Sequence, residues 1–436
     1  MEMEIKKTNS NKATCTRSKN KSLTNQIGRE KETQSSNKSV ITKMKSFPTE
    51  VGIESSLKTK LIPLSTKILN KDYDFYDKAQ FSQKQIGPLK SYGYNTFKGI
   101  FREINEDRVT VIGQIKKPAN CKMKTWPKIS YFAIFDGHGG EGCVDFVNNN
   151  FHNYLVENKN FPFDIKIALG DTIIKIEEEF FKQECGKTLE ESDKSGSCAL
   201  VAIIFDNKIY ISNIGDSRAI MSLNGGAKVK VLTTDHKPND PKEFERAMKN
   251  GSKIYLDDNE DERDVTKLKF IKEKSEFEKY KNNKEIVYRV FPSDLSVMRT
   301  IGDIKAKTKK YGGNPGTIIN KPDIFVYDIN INDDFIVMGC DGIFDNLSNQ
   351  EICNAAWYVY KNIAKEKNYD IHELTQDACD IIIKYAMENE ALDNLSCIII
   401  GLEGVEKYLK NKSTQEKVNN SLNNFKKNYR KTSSMK

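Results

Sequence analysis

The sequence predicts an α+β fold of packed antiparallel sheets covered by helices, and three observations carry that expectation. Short apolar strands follow one another across tight turn signals, and helices come in pairs inserted between strands instead of alternating singly with them. Nucleotide-binding folds get no support, because strands and helices do not alternate as βαβ units and Gly186-Lys187-Thr188 lacks the earlier glycine of a phosphate-binding loop, position 181 being Phe.

The first clear strand is Tyr131 to Phe135, Tyr-Phe-Ala-Ile-Phe, which Asp136 closes. A helix follows from Gly142 to Glu157, with Val144, Val147, Phe151 and Leu155 recurring on one face, and a second spans Ile165 to Gln183. Strands at Ala199 to Phe205 and Lys208 to Ile214 flank the hairpin signal Asp206-Asn207. Strands at Ala219 to Leu223 and Lys228 to Leu232 flank Asn224-Gly225-Gly226. Asp323 to Ile329, Phe335 to Met338 and Ser396 to Leu402 complete the strands, with helices at Asn349 to Ala364 and Ile371 to Met387 between the last two. Residues 252–288 break the pattern. An acidic head, Asp257 to Glu262, leads into alternating Lys and Glu with few apolar residues, which reads as an inserted, mobile excursion with a polar helix near Lys274 to Asn282.

Composition sets the domain limits. Residues 1–87 are rich in Lys, Asn, Ser and Thr and read as a mostly disordered extension; residues 404–436 read as a basic, disordered tail. One folded domain is expected over residues 88–403. The net charge of +8 is modest for 436 residues, and no basic patch interleaved with aromatics argues for nucleic acid. Nine cysteines stand singly, without a Cys-x-x-Cys pair, which disfavours zinc fingers, redox motifs and a secreted disulfide framework. No apolar run approaches the roughly 20 residues of a membrane span, no signal-peptide core is seen, and Glu2 follows Met1 where a myristoylation signal has glycine. The expectation is a protein of a reducing compartment, cytoplasmic or nuclear.

The informative residues are carboxylates that punctuate strand ends. Asp136 precedes Gly137-His138-Gly139-Gly140; Asp341 follows Met338-Gly339-Cys340; Asp393 stands just ahead of Ile398-Ile399-Ile400; Asp216 follows Gly215; and Glu106-Asp107 precedes Arg108-Val109-Thr110-Val111. A carboxylate at the end of a core strand is costly to desolvate unless paired or bound to a cation. Several converging carboxylates would repel one another, and a divalent metal is the simple remedy. Aspartates with few histidines and no clustered cysteines favour Mg2+ or Mn2+ over zinc. Two such ions bridged by one carboxylate can clamp a phosphate and activate a water for in-line attack on phosphorus, with no covalent enzyme intermediate. Each piece alone has an ordinary reading. Asp-Gly after a strand is commonly a turn, Glu106-Asp107 can be a solvated pair, and Asp216-Ser217-Arg218 a surface ion pair.

Their order changes the odds. Arg102-Glu103-Ile104-Asn105-Glu106-Asp107, Phe135-Asp136-Gly137-His138-Gly139-Gly140, Ser195-Gly196-Ser197-Cys198-Ala199 and Asn213-Ile214-Gly215-Asp216-Ser217-Arg218-Ala219 come in sequence. Thr234-Asp235-His236-Lys237-Pro238, Leu295-Ser296-Val297-Met298-Arg299-Thr300-Ile301-Gly302-Asp303, Cys340-Asp341-Gly342-Ile343-Phe344-Asp345 and Asp393-Asn394 follow. The chain resembles the metal-dependent protein phosphatases (PPM, the type 2C serine/threonine phosphatases) from Arg102 to Asn394. The resemblance implies a four-layer αββα sandwich of two antiparallel sheets flanked by helix pairs, with the metal site at one end. It implies Asp136 bridging two ions, with the Gly137 carbonyl, Asp341, Asp393 and Glu106 completing the cluster and Asp107 in support. Asp216 and Asp303 would help hold a weaker third ion. Arg102 would bind the substrate phosphate and His138 would act as general acid. It further implies phosphoserine and phosphothreonine proteins as substrates and a monomer by family default.

His236 reads as part of a fixed turn, and His152 and His372 as ordinary helix residues. Cys198 stands where the family more often has Thr, Met298 where it has Ser, and Ser252 where it has a second Gly. The charged insert that follows Ser252 lies in a region that forms a flap beside the active site in the family, so it is expected to modulate access or to dock basic substrates through its acidic head. Two other readings explain acidic strand ends. A catalytically silent, phosphoprotein-binding relative would have lost metal carboxylates, and none is lost. A two-metal nuclease would not explain the motif order.

Overall fold

A computed structural model describes residues 66–412, apart from 120, 185, 258–267, 284–285 and 366–369. The segments expected to be disordered, 1–65 and 413–436, lie outside the described residues. The elements run in chain order as α1 (Thr66–Leu69), β1 (Gln80–Phe81), β2 (Ser91–Phe97), β3 (Asp107–Ile112), β4 (Ile129–His138), α2 (Gly142–Glu157) and α3 (Ile165–Gln183). Then come β5 (Gly196–Phe205), β6 (Lys208–Ile214), β7 (Arg218–Leu223), β8 (Lys228–Val231), α4 (Pro241–Lys249), β9 (Lys253–Asp257), β10 (Lys269–Ile271), α5 (Lys274–Tyr280) and β11 (Val287–Phe291). The chain closes with β12 (Ile301–Gly302), α6 (Ile304–Lys307), β13 (Asp323–Asp328), β14 (Asp333–Gly339), α7 (Asp341–Phe344), α8 (Asn349–Asn362), α9 (Ile371–Glu388) and β15 (Leu395–Gly401).

Period-two alternation divides the strands between two cores. On β4, Phe132 and Ile134 join Leu200 and Ala202 of β5 in a cluster that reaches Ile220, Ile336, Val337, Ile398 and Ile399 of the other sheet. Tyr131, Ala133 and Phe135 point the opposite way and pack with Val144, Val147, Phe151, Leu169 and Ile173 of α2 and α3. One sheet has the order β1-β2-β15-β14-β7-β8, the other β13-β6-β5-β4-β3 with β12 beside β5, and their pairings are antiparallel. Residues of α8 and α9, among them Ile352, Trp357, Ile381 and Ile382, belong to the cluster shared by the two sheets. The result is the expected αββα sandwich. No helix among the described residues is long and apolar enough to cross a membrane.

Three sequence expectations are corrected. The packed unit reaches beyond residues 88–403 at both ends. β1 pairs with β2, Ala79 N donates to Asp380 Oδ1 at 2.9 Å, and residues 403–412 are helical with Val405 buried. Sparse apolar periodicity hid these short pieces, which the rest of the domain holds in place. The strand expected to stop at Phe135 continues through Asp136, Gly137 and His138, because Cys198, Ser197 and Gly196 of β5 stand opposite as ladder partners.

The third correction concerns residues 252–288. Expected as a mobile excursion with few apolar residues, they contribute β9, β10 and α5, which with β11, α4 and the later residues Met298, Ala306 and Ile318 enclose a small core distinct from the two of the sandwich. Its centre is Phe244 stacked on Phe277, ring centroids 4.0 Å apart, with Ile254, Leu256 and Tyr288 around them. Few apolar residues suffice because most of them, among them Ile254, Leu256, Ile271, Phe277 and Val290, are buried. The expected polar helix is present as α5; the acidic run 258–262 lies outside the described residues. A separate core predicts separate melting. Phe277→Ala, a truncation that typically costs about 3–5 kcal/mol, should speed amide exchange in β9–β11 while leaving the β4–β6 amides protected. Equal acceleration in both regions would show that the unit is not independent.

Candidate metal centre

One end of the sandwich collects the polar ends of its central strands. β4 carries Asp136, paired across β3 with Asp107 and across β5 with Cys198. Asp216 sits in the turn between β6 and β7, Asp341 opens α7 two residues past the end of β14, and Asp393 stands two residues ahead of β15. Strands pack apolar side chains along their length, so carboxylates fit only where the ladder ends.

Asp136, Asp216 and Asp341 form the nucleus, with one carboxylate oxygen from each lying within 4.8 Å of the others. Asp216 is almost fully buried. Burial, and then the charges of Asp341, Asp107, Asp216 and Asp393, push the Asp136 carboxyl well above the usual carboxylate range. Burial, followed by Asp216 and Asp345, does the same to Asp341, and Lys237 only partly opposes it.

The remaining residues singled out in the sequence surround this nucleus but hold other partners. Glu106 Oε1 accepts from Gly140 N at 2.7 Å, pinning the Gly139-Gly140 turn. Asp107 is buried, accepts from Ser396 Oγ at 2.7 Å, and is raised by burial to about 6. Arg102 Nη2 donates to Asp393 Oδ2 at 2.7 Å. His138 Nε2 lies 3.0 Å from Asp303 Oδ2, and Asp303 outweighs the opposing effect of burial to hold the imidazole above its ordinary value. Burial acts to raise Asp303, but His138 keeps it below the usual range. The sequence grouped Asp216 with Asp303; the structure groups Asp216 with Asp136 and Asp341 and gives Asp303 to the imidazole. Gly137 is required sterically, since a Cβ there would lie 2.4 Å from Glu106 O and 2.9 Å from Val144 Cβ.

Sequence reasoning missed Lys237. Its ammonium lies 3.5 Å from Asp216 Oδ2 and 3.0 Å from Asp345 Oδ1. Burial opposes that charge, but Asp216, Asp345 and Asp341 raise its pKa regardless. The signal was its place directly after His236 in Asp-His-Lys-Pro. His236 is a turn residue as expected, with Nδ1 accepting from Gly215 N at 3.1 Å and its own N–H donating to Gly215 O at 2.9 Å. Asn394 was also underrated. It donates to Lys98 O and Ile104 O and accepts from Glu106 N, which fastens the Arg102 loop to Asp393.

The donor set fits a divalent cation. The crowded groups are hard carboxylate oxygens, and one lysine does not offset three of them. Fold and site together define an antiparallel sandwich with, at one end, a carboxylate cluster that could hold a divalent cation. The model of one family, described as "Protein phosphatase 2C", matches residues 101–395, and the chain belongs to that family. "Probable protein phosphatase 2C 27" of Arabidopsis thaliana is 29% identical over 271 residues, 62% of this chain and 58% of that relative. "Protein phosphatase 2C 1" of Paramecium tetraurelia is 31% identical over 233 residues, 51% of this chain and 66% of that relative. The chain thus spans less than two thirds of the length of either. Among solved structures, the serine-threonine phosphatase 2C of Toxoplasma gondii aligns with a TM-score of 0.53 at 18% identity, covering 75% of this chain and all of that one. That likeness bears on the fold alone.

Crowding carries a testable cost. A carboxyl with a raised native pKa stabilises the fold at low pH, and its contribution is lost as pH rises through its ordinary range and beyond. At pH 7.5 in EDTA, Asp136→Asn should therefore melt several degrees above the unmutated protein, while Mn2+ should raise the melting temperature of the unmutated protein far more than that of the variant. A variant that melts lower in EDTA would contradict the repulsion.

Proposed function

We propose that this protein is a Mg2+- or Mn2+-dependent serine/threonine phosphoprotein phosphatase. The observation that carries the reading is the three-carboxylate nucleus of Asp136, Asp216 and Asp341, with Arg102 and His138 both held at its margin by carboxylates. Asp136, Asp341 and Asp393, with the Gly137 carbonyl and Glu106, would hold two core ions; Asp107 supports them, and Asp216 and Asp303 are the candidates for a weaker third. Two divalent cations held there supply an activated water for direct attack on phosphorus and neutralise the phosphate's charge.

The chain's own groups do the rest. Arg102 presents paired N–H donors that match two phosphate oxygens, and it reaches them by leaving Asp393. His138, whose protonated form burial disfavours and the adjacent Asp303 favours, would donate its proton to the serine or threonine oxygen as that oxygen departs. A silent binding module is the weaker reading, because no carboxylate of the set is missing. The proposal extends to a monomer acting in the cytoplasm or nucleus, in keeping with the described cysteines, all of which are free thiols.

Hydrolysis of a phosphothreonine peptide tests the reading. Turnover should require Mg2+ or Mn2+ and stop in EDTA or in Asp136→Asn. His138→Gln should lower kcat by roughly 100- to 10,000-fold, and Arg102→Ala should act mainly by raising KM. A folded protein that turns over nothing with either metal would leave the binding module as the better account.

A further inference from the structure

Resting on that reading, we infer that an apolar rim around Arg102 selects phosphoprotein segments with apolar side chains next to the phosphoresidue. Large hydrophobic side chains left in water are ordinary when scattered, but a group of them is an interaction signal. Ile100, Phe101 and Ile104 are 52%, 57% and 50% exposed, and Leu392 is 64% exposed. All four sit on the two short segments that carry Arg102 and Asp393.

Those segments form one body. Arg102 and Asp393 are bridged at 2.7 Å. Asn394 Nδ2 donates to Lys98 O at 2.8 Å and Ile104 O at 3.0 Å, and Asn394 Oδ1 accepts from Glu106 N at 2.8 Å. Gly99 lies so close that a Cβ there would fall 2.5 Å from Asp393 O. The exposed side chains are therefore presented by a fastened loop pair, which leaves little backbone ordering for a ligand to impose.

The occupant follows from reach. A phosphoserine or phosphothreonine side chain is short, so a phosphate on Arg102 draws its backbone down to this loop. In an extended peptide successive residues advance by about 3.3 Å, which puts the residues on either side of the phosphoresidue against those flanking Arg102. Leucine, isoleucine, methionine or phenylalanine there would bury apolar area on both partners, whereas serine or glycine would leave Phe101 and Leu392 in water.

The experiment compares the unmutated protein with Phe101→Ser/Leu392→Ser, whose changes are at exposed positions outside the proposed chemistry. Substrates are two phosphothreonine peptides of equal charge, one with leucine and one with serine on both sides of the phosphoresidue, and p-nitrophenyl phosphate, which has no flanks. The unmutated protein should favour the leucine peptide by about tenfold in kcat/KM. The double variant should lose that preference while hydrolysing p-nitrophenyl phosphate within about twofold of the unmutated rate. p-Nitrophenyl phosphate turnover without peptide preference would overturn the rim and leave the phosphatase reading standing. Unchanged preference in the variant would also overturn it, and a concurrent loss of self-association in sedimentation would assign the rim to a second copy. Failure to hydrolyse any of the three substrates would overturn the phosphatase reading and the rim with it.

Discussion

Negative charge confined at the open end of the sandwich is the constraint that the surrounding structure answers. Two carboxylates at the 4.8 Å limit of the nucleus repel by on the order of 3 kcal/mol at an effective dielectric near 20, and there are three. The fold answers with a half-buried lysine against Asp216, a guanidinium on Asp393, a serine hydroxyl on Asp107 and a backbone amide on Glu106. Each of these relieves a different carboxylate, and Asp136 and Asp341 keep the largest unrelieved share. A binding site for a divalent cation is thus a place where the fold stops compensating.

Holding such a cluster together requires that its strand ends not splay, and a polar network does this from outside. His236 binds the Gly215 backbone beside Asp216 and also meets Asp323 of β13. Asp323 pairs with Arg299, and Arg299 and Arg246 share Glu243 on α4, which begins the three-stranded unit. Burial works against the Glu243 charge, but the two guanidiniums hold it below the usual range. The network therefore ties the Asp216 turn to the neighbouring small core. The site and the extra unit thus share a chain of ion pairs but have separate apolar interiors.

What the sequence disclosed follows from this arrangement. The long apolar strands and the two helix pairs were legible because alternation and 3.6-residue periodicity are properties of local sequence. The aspartates were legible because each stands at the break between an apolar run and a glycine turn. Three things were not. The edge pieces 66–81 and 403–412 have too few apolar residues to declare themselves, and neighbours hold them. The unit built from residues 241–291 hides its core among charges, since Phe244, Phe277 and Tyr288 are far apart in sequence and meet only through pairing. Lys237 and Asn394 act through contacts with residues distant in the chain, Asp345 in one case and Lys98 in the other. Hydrophobic periodicity carries no record of such contacts, although the motif order did place both residues near the site.

The composition of the centre also bears on where selectivity must lie. Its groups are short carboxylates, one ammonium, one imidazole and one guanidinium, and in the proposed phosphatase their reach ends at a phosphate and the oxygen that leaves it. Nothing among them can tell one phosphoprotein from another. Discrimination therefore falls to surfaces that the peptide meets after the phosphate is seated. The loop pair bearing Arg102 and Asp393 is the nearest of these, and Asn394 fastens it to the same backbone that positions the carboxylates. A surface so fixed contributes to choice through what it buries, since little ordering entropy is left to lose. Exposed apolar side chains at that position are unfavourable in water, and contact with a substrate's flanks, as proposed, would offset that.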